Sequence, residues 1–391
     1  MIRMIRRIFL GALALVVLAC AAVAIWGPGF VEERLNPVTM PQAGWPVSAE
    51  AEALHRRLVI GDWHSDALLW DRDLLTRSGR GHTDIPRLAD GNVALQVFTT
   101  VTKSPRGQNY DQNAAEAPDN ITALFIGQLR PFSSWFSLKE RALVQAAALR
   151  RAAERAPDQV MLIRSAEDLH ALLAARQNGS RMIGALLGTE GGHPLEGDIA
   201  NLQVLYGAGF RLIGLTHFFD NELGGSLHGT SGAGLTDFGR EVVAGMMERR
   251  MIVDLAHASP QVVRDVLAIP GTRPILSHTG VHGHCPTPRN LPDDLLRAIA
   301  DKGGVIGIGY WADVNCGKTP ADIAASIKAA IALLGEDAVS LGSDYDGSVD
   351  VPFDAAHLVA LTQALLDAGL TEAQIAKVMG GNMMRYLAQV L

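Results

Sequence analysis

Short apolar runs alternate with stretches of helical periodicity along the chain, and this alternation constrains the fold more than any other feature. Eight runs rich in Val, Ile and Leu have the length and composition of buried strands. They span residues 57–61, 93–99, 182–187, 211–215, 251–255, 274–276, 305–309 and 338–341. Strands that alternate with helices form parallel sheets, and eight such units close a barrel. The sequence therefore predicts an α/β fold, a (β/α)8 TIM barrel, with a ninth run at residues 160–163 outside the barrel.

Helix-start signals support this phasing. Ser259 and Thr319 are each followed by a proline, which is favoured at the first position of a helix. Thr371 and Gln374 have the spacing of a capping box. We therefore expect a helix to begin at each of these three positions.

The N-terminal residues have a separate organisation. Arginines within residues 1–7 precede residues 8–26, a stretch without a charged side chain, and about 20 apolar residues span a bilayer as a helix. Basic residues before such a stretch favour a cytoplasmic N-terminus. We predict a cytoplasmic basic region at 1–7, a transmembrane signal anchor at 8–26, a linker at 27–50 and a barrel domain at 51–391 in the periplasm. A cleaved signal peptide and a lipoprotein signal at Cys20 are the alternatives.

The charge balance argues against nucleic acid as a partner. The formal net charge is −7, and acidic and basic residues are mixed along the chain. Beyond the N-terminus, the sequence has no cluster of Lys or Arg of the kind that binds phosphate backbones. We therefore expect no nucleic-acid binding.

Side chains that bind metals or transfer protons follow most of the predicted strands. They are His64 and Asp66, Glu190, His217, His257, His278 and Asp344. We expect them to lie close together, because the carboxyl ends of barrel strands meet at one rim. Imidazole nitrogen and carboxylate oxygen are ligands that zinc prefers, and a carboxylate between two ions can bridge them. The sequence therefore predicts a metal centre at this rim, with Glu190 as the bridging ligand.

Two further features leave two interpretations open. Cys285 and Cys316 either form a disulfide in an oxidising compartment or remain buried thiols. The polar, turn-rich residues 103–120 form either a loop over the site or a plain surface loop.

Seven motifs between residue 57 and the C-terminus resemble those of a known family. They are Asp62-Trp63-His64-Ser65-Asp66, Glu190-Gly191-Gly192-His193, Leu215-Thr216-His217, Asp254-Leu255-Ala256-His257, Ser277-His278, Arg289-Asn290 and Gly342-Ser343-Asp344-Tyr345-Asp346-Gly347. In this set and order the chain resembles the membrane dipeptidases, the renal dipeptidase family of metallopeptidases. It departs from the commoner family wording at Trp63, Ser65 and residues 218–221, and none of these changes replaces a ligand.

The resemblance implies two Zn²⁺ ions per chain. His64, Asp66 and Glu190 would bind one ion, and Glu190, His257 and His278 would bind the other. Glu190 and a water or hydroxide would then bridge the two ions. The remaining histidines in and near the motifs would lie around the rim without binding metal; they are His193, His228, His282 and His284.

The resemblance also implies roles for residues that do not bind metal. His217 would bind and polarise the scissile carbonyl group, Arg289 would bind the terminal carboxylate of the substrate, and Asp344 would transfer the proton. A disulfide between Cys285 and Cys316 is favoured over free thiols, because related members carry one in this region.

The function that the resemblance implies is hydrolysis of dipeptides, in an enzyme held on the membrane by its N-terminal helix. Relatives are often homodimers, so a homodimer is implied as well. One alternative is another amide or lactone hydrolase with the same two-metal rim. A second alternative is an exported binding or maturation protein that keeps the fold without peptidase activity.

Overall fold

Nine short strands, most of them completely buried, form one parallel sheet in the computed structural model, which describes residues 2–391. They are β1 Ile60–Ser65, β2 Val93–Phe98, β3 Val160–Leu162, β4 Ile183–Thr189, β5 Phe210–Gly214, β6 Ile252–Asp254, β7 Leu276–Thr279, β8 Ile306–Ile308 and β9 Val339–Leu341. The side chain of Cys20 is outside the described part of the structure, and so is the alternative of a lipoprotein signal at this residue.

The strands close into a ring in the order β6-β5-β4-β2-β1-β9-β8-β7. Asp254 at the end of β6 bridges Ile275 beside β7, and Leu255 N donates to Ile275 O at 2.8 Å. β3 pairs with the first half of β4, beside the ring. The predicted eight-stranded barrel and the outlying ninth strand are thereby confirmed.

Helices precede, connect and follow the strands along the chain. They are α1 Ile2–Leu35, α2 Ala49–Arg57, α3 Ile85–Asp90, α4 Asn120–Gly127, α5 Leu138–Arg155, α6 Ala166–Gln177, α7 Ala200–Ala208, α8 Asp237–Glu248, α9 Pro260–Ala268, α10 Asp293–Asp301, α11 Ala312–Asn315, α12 Pro320–Leu334, α13 Val359–Asp367, α14 Glu372–Ala376 and α15 Asn382–Val390. Ser259, Thr319 and Thr371 cap α9, α12 and α14 with their hydroxyl groups, as predicted.

Two strands lie further along the chain than the apolar runs indicate. β1 begins at Ile60 rather than at residue 57, and β7 extends from Leu276 to Thr279. His64 and His278 therefore lie within the last residues of these strands instead of after them. β1 continues through polar residues because their buried polar groups are hydrogen-bonded. Asp62 Oδ1 accepts hydrogen bonds from His64 N at 3.1 Å and from Gln96 Nε2 at 2.9 Å.

Helix α1 includes the predicted anchor and continues through Pro28 to Leu35. Within residues 2–391, no helix has both the length and the mean hydropathy required of a membrane span. The anchor predicted for residues 8–26 stays a prediction.

The predicted linker at residues 27–50 differs from a free spacer, because much of it packs on the barrel. Val38 forms a parallel bridge with Val351, and Thr39 N donates to Val351 O at 2.8 Å. Trp45 Nε1 donates to Pro352 O at 2.8 Å. These partners lie about 300 residues away along the chain, so composition alone does not reveal them.

Candidate metal centre and active site

The carboxylate of Glu190 lies at the centre of a histidine cluster at the carboxyl-end mouth of the barrel. The Nε2 atoms of His64, His257 and His278 lie 3.5, 3.1 and 3.3 Å from Glu190 Oε1. His217 Nε2 lies 3.2 Å from Glu190 Oε2. All five side chains are buried. Strand ends that are far apart in sequence therefore meet at one point, as the barrel requires.

The two ligand sets implied by the family resemblance are each brought together. Ligand atoms of His64, Asp66 and Glu190 lie within 4.8 Å of one another. In the second set, His257 Nε2 and His278 Nε2 are 2.9 Å apart, and both lie close to Glu190 Oε1. His217 is as close to Glu190 as His257 is, so distance alone does not separate its role from that of a ligand.

The backbone at two strand ends adopts conformations that side chains disfavour. Gly191 has a φ of 81°, and a Cβ atom there would lie 2.5 Å from the His193 ring. His257 has a φ of 62°, in the left-handed region that residues other than glycine rarely adopt. Such strain is typical of functional sites, where the surrounding structure holds it in place.

Two hydroxyl groups orient the cluster. Ser277 Oγ lies 3.3 Å from His64 Nδ1 and 2.8 Å from His278 Nδ1, so the Nε2 atoms of both rings face the centre. Thr99 Oγ1 donates to Asp66 Oδ1 at 2.6 Å. Contacts of this kind fix ligand orientation in metal sites. Neither Thr99 nor Ser277 is predicted from the sequence as a site residue. The sequence indicates such a role only for Ser277, through its position next to His278.

Burial and mutual repulsion make the cluster electrostatically unusual. Burial, together with the Asp66 carboxylate, raises the pKa of Glu190 well above its usual value. Burial lowers the pKa of His257 and of His278 well below the usual value. For His64, burial alone would lower the pKa, but Glu190 and Asp66 raise it to about 10. Buried carboxylates and imidazole nitrogens held this close together favour a bound cation.

The residues fit a divalent metal ion. His64 Nε2 is buried among carboxylates without a hydrogen-bond partner, as expected of an atom reserved for coordination. Imidazole nitrogen and carboxylate oxygen form the donor set that zinc accepts. The structure therefore supports a metal site at Glu190.

Asp344 and Asp346, two residues apart, have different surroundings. Asp344 lines the cleft, and its Oδ1 lies 4.0 Å from His64 Nε2. Burial raises the pKa of Asp344 to about 8, although nearby His64 opposes this change. Asp346 is completely buried and bound by Arg72. Of the two, Asp344 is the one placed to exchange a proton in the cleft.

Arg289 reaches the same cleft from the segment that follows β7. Its side chain is buried, Nη2 donates to His278 O at 2.9 Å, and Nη2 lies 3.4 Å from His257 Nε2. Cys285 and Cys316 form a disulfide with a Cα–Cα distance of 5.5 Å. The disulfide interpretation is thereby confirmed, and the bridge ties the Arg289 segment to the segment after β8.

A cleft opens over the cluster. Its walls include Gln108 and Tyr110, so residues 103–120 form a loop over the site rather than a plain surface loop. Tyr110 stacks against Phe218 with ring centroids 5.8 Å apart, and its hydroxyl accepts a hydrogen bond from Trp311 Nε1 at 3.1 Å. These contacts form an aromatic wall on one side of the cleft.

The remaining histidines occupy different positions. His228 is buried beside the cluster, with its ring centroid 5.1 Å from that of His257. His193 is also buried, and its ring packs edge-on against Phe219. His282 is half-buried and His284 is exposed. Within residues 2–391, none of these four belongs to a group of side chains that could share a metal ion.

Solved structures with the same fold have diverged far in sequence. A metallopeptidase from Rhodobacter sphaeroides, solved with a phosphinate mimic of the dipeptide L-Ala-D-Ala, is 22% identical to the chain with a TM-score of 0.69. The match covers 85% of this chain and 99% of that one. It supports the barrel fold.

Curated relatives and a family model extend the comparison. Dipeptidase aclJ of Aspergillus oryzae is 28% identical, over 87% of this chain and 80% of its own length. Dipeptidase 3 of Mus musculus is 28% identical, over 87% of this chain and 66% of its own. The family model described as membrane dipeptidase, peptidase family M19, matches residues 48–391, and this range contains all seven motifs. The chain therefore belongs to the membrane dipeptidase family of metallopeptidases.

Proposed function

We propose that the protein is a zinc-dependent dipeptidase with two ions per chain held around Glu190. The position of Arg289 carries the proposal: this buried cation lies 3.4 Å from the ring of His257. A substrate carboxylate bound to its guanidinium would lie next to the metal ligands. The peptide bond to be cleaved would then be one residue from the C-terminus, as in a dipeptide.

The roles proposed for the metal ligands are those of the two sets, with Glu190 shared. When bound, the two zinc ions supply Lewis acidity and lower the pKa of water, so that hydroxide is available near neutral pH. Arg289 orients the substrate through charge-assisted hydrogen bonds to its terminal carboxylate.

His217 and Asp344 complete the proposed mechanism. His217 donates from Nε2 to the carbonyl oxygen as negative charge develops there. Nδ1 donates a hydrogen bond to Lys103 O at 3.3 Å, so donation from Nε2 at the same time requires a ring that carries both protons. Asp344 accepts a proton from the attacking water and delivers it to the leaving amine.

The proposal places the catalytic body outside the cytoplasm, held at the membrane by residues 8–26. The basic residues at 1–7 support this orientation. The disulfide supports it independently, because such bonds persist in oxidising compartments.

A substrate panel tests the reaction class. We expect hydrolysis of dipeptides, little hydrolysis of the matching dipeptide amides, which lack the carboxylate for Arg289, and loss of activity after chelation. Metal analysis should give about two zinc ions per chain, as a two-metal site requires. Hydrolysis of lactones with no turnover of any dipeptide would instead favour the alternative hydrolase.

Substitution of Arg289 by Met should raise KM for dipeptides while zinc content stays unchanged. Hydrogen bonds to a charged group contribute about 1.5–3 kcal/mol, which corresponds to a rise in KM of roughly 10- to 150-fold. Steady-state kinetics and metal analysis measure the two effects separately. Arg297→Met, at an exposed arginine on α10, is the matched control and should leave KM unchanged. Equal loss of zinc and affinity in Arg289→Met would show that Arg289 holds the metal centre together instead.

A further inference from the structure

Two buried polar residues near the end of α1 lie outside the part of the chain that matches the family model. Glu32 and Asn36 are four residues apart, and their exposed fractions are 1% and 3%. Glu33 between them is exposed to solvent. Burying a carboxylate without partners destabilises the folded state. The side chains that pair with Glu32 connect it to the segment that carries Asp344.

One connection runs through Arg72. Glu32 Oε1 lies 2.5 Å from Arg72 Nε, and Arg72 Nη2 donates to Asp346 Oδ2 at 2.8 Å. Glu32 Oε2 also pairs with Arg80. The Arg72 side chain is 3% exposed, so a single buried guanidinium joins the end of α1 to the segment that carries Asp344.

A second connection is direct. Ser348 N donates to Asn36 Oδ1 at 2.8 Å, and Asn36 Nδ2 donates to Glu32 O at 3.1 Å. Glu32 is therefore linked to Asp346 through Arg72, and Asn36 contacts Ser348 directly.

The segment that receives these contacts has a strained backbone. Residues 342–348, called the Asp344 loop here, follow β9. Asp344, Asp346 and Ser348 have φ angles of 59°, 64° and 65°, all in the left-handed region. Residues other than glycine rarely adopt this region and remain there only when surrounding contacts hold them. The contacts from Arg72 and Asn36 hold two of these three residues.

We propose that Glu32 and Asn36 are positioning residues that hold the Asp344 loop, and with it the Asp344 carboxylate, in the geometry needed for proton transfer. This inference rests on the proposed function, because that function assigns the proton to Asp344. The end of α1 is then a structural part of the active site. It acts through the loop, without touching the substrate or the metal ligands.

Three variants of the full chain test the proposal: Glu32→Gln, Asn36→Ala and the control Glu33→Gln. Small misplacements of a reacting group can lower rates by up to about 100-fold, so we expect kcat to fall about 10- to 100-fold in the first two. KM and zinc content should stay near wild type, because Arg289 and the ligands are untouched. Amide hydrogen exchange over residues 344–348 should become faster in both variants and stay unchanged in Glu33→Gln.

The outcomes separate this inference from the proposed function. Wild-type protein that hydrolyses no dipeptide would refute the proposed function, whereas hydrogen exchange still measures whether α1 holds the loop. Unchanged exchange and kcat in Asn36→Ala would overturn the inference, even if Glu32→Gln failed to fold. Loss of zinc or of thermal stability in proportion to kcat in Asn36→Ala would also overturn it, because Asn36 would then stabilise the fold as a whole.

Discussion

Replacing Glu190 by Gln should lower dipeptidase activity by at least about 10³-fold, because a neutral amide cannot serve as the anionic ligand shared by two ions. Glu190 lies within 3.5 Å of four histidines, so no other side chain in the described residues has the same set of contacts. Zinc content should fall together with activity. Inductively coupled plasma analysis and kinetics on the same preparation measure both.

Glu222→Gln is the matched control for this prediction. Glu222 is an exposed glutamate on the loop that follows β5, so its replacement should leave zinc content and kcat unchanged. A Glu190→Gln protein that keeps two zinc ions and more than a tenth of wild-type activity would contradict the bridging role.

Replacing Asp344 by Asn should lower kcat by about 10²- to 10⁴-fold, the usual contribution of a general acid or base. In contrast to Glu190→Gln, zinc content should stay near wild type, because Asp344 is in neither proposed ligand set. The shape of Asn and Asp is the same, so KM should change little. Combined kinetics and metal analysis distinguish this pattern from that of a lost ligand.

Asp301→Asn, at an exposed aspartate at the end of α10, should behave as wild type. If Asp344→Asn lost zinc as well as activity, Asp344 would be a metal ligand. The structure allows this outcome, because ligand atoms of His64, His278 and Asp344 lie within 4.8 Å of one another.

Much of the barrel and of its mouth could be predicted from the sequence because both follow from local patterns. Each apolar run predicts a strand, and the position of a ligand-type residue after it predicts which end of the barrel it occupies. These patterns predict that His64, Glu190 and His278 lie together, and in the structure both histidines lie within 3.5 Å of Glu190. The predicted start of β1 is wrong, because the prediction follows apolar residues whereas the strand continues through Asp62 and His64.

The parts that could not be predicted depend on contacts between distant residues. Ser277 and Thr99 orient the ligands through single hydroxyl groups, which leave no pattern in one sequence. Glu32 lies in the predicted linker, and its partner Arg72 has no motif around it. Only the folded chain shows that this carboxylate is buried.

Glu32 near the end of α1 and Asn36 just after it contact the barrel, and residues 37–39 then pair with Val351. The family match begins only at residue 48. A recombinant form trimmed at that homology boundary would keep every metal ligand and lose both the bridge at Val38 and the contacts to the Asp344 loop. If the proposed roles are right, we expect such a truncated protein to keep its metal content and to turn over substrate slowly. Recombinant forms of the protein should therefore begin upstream of the last turns of α1.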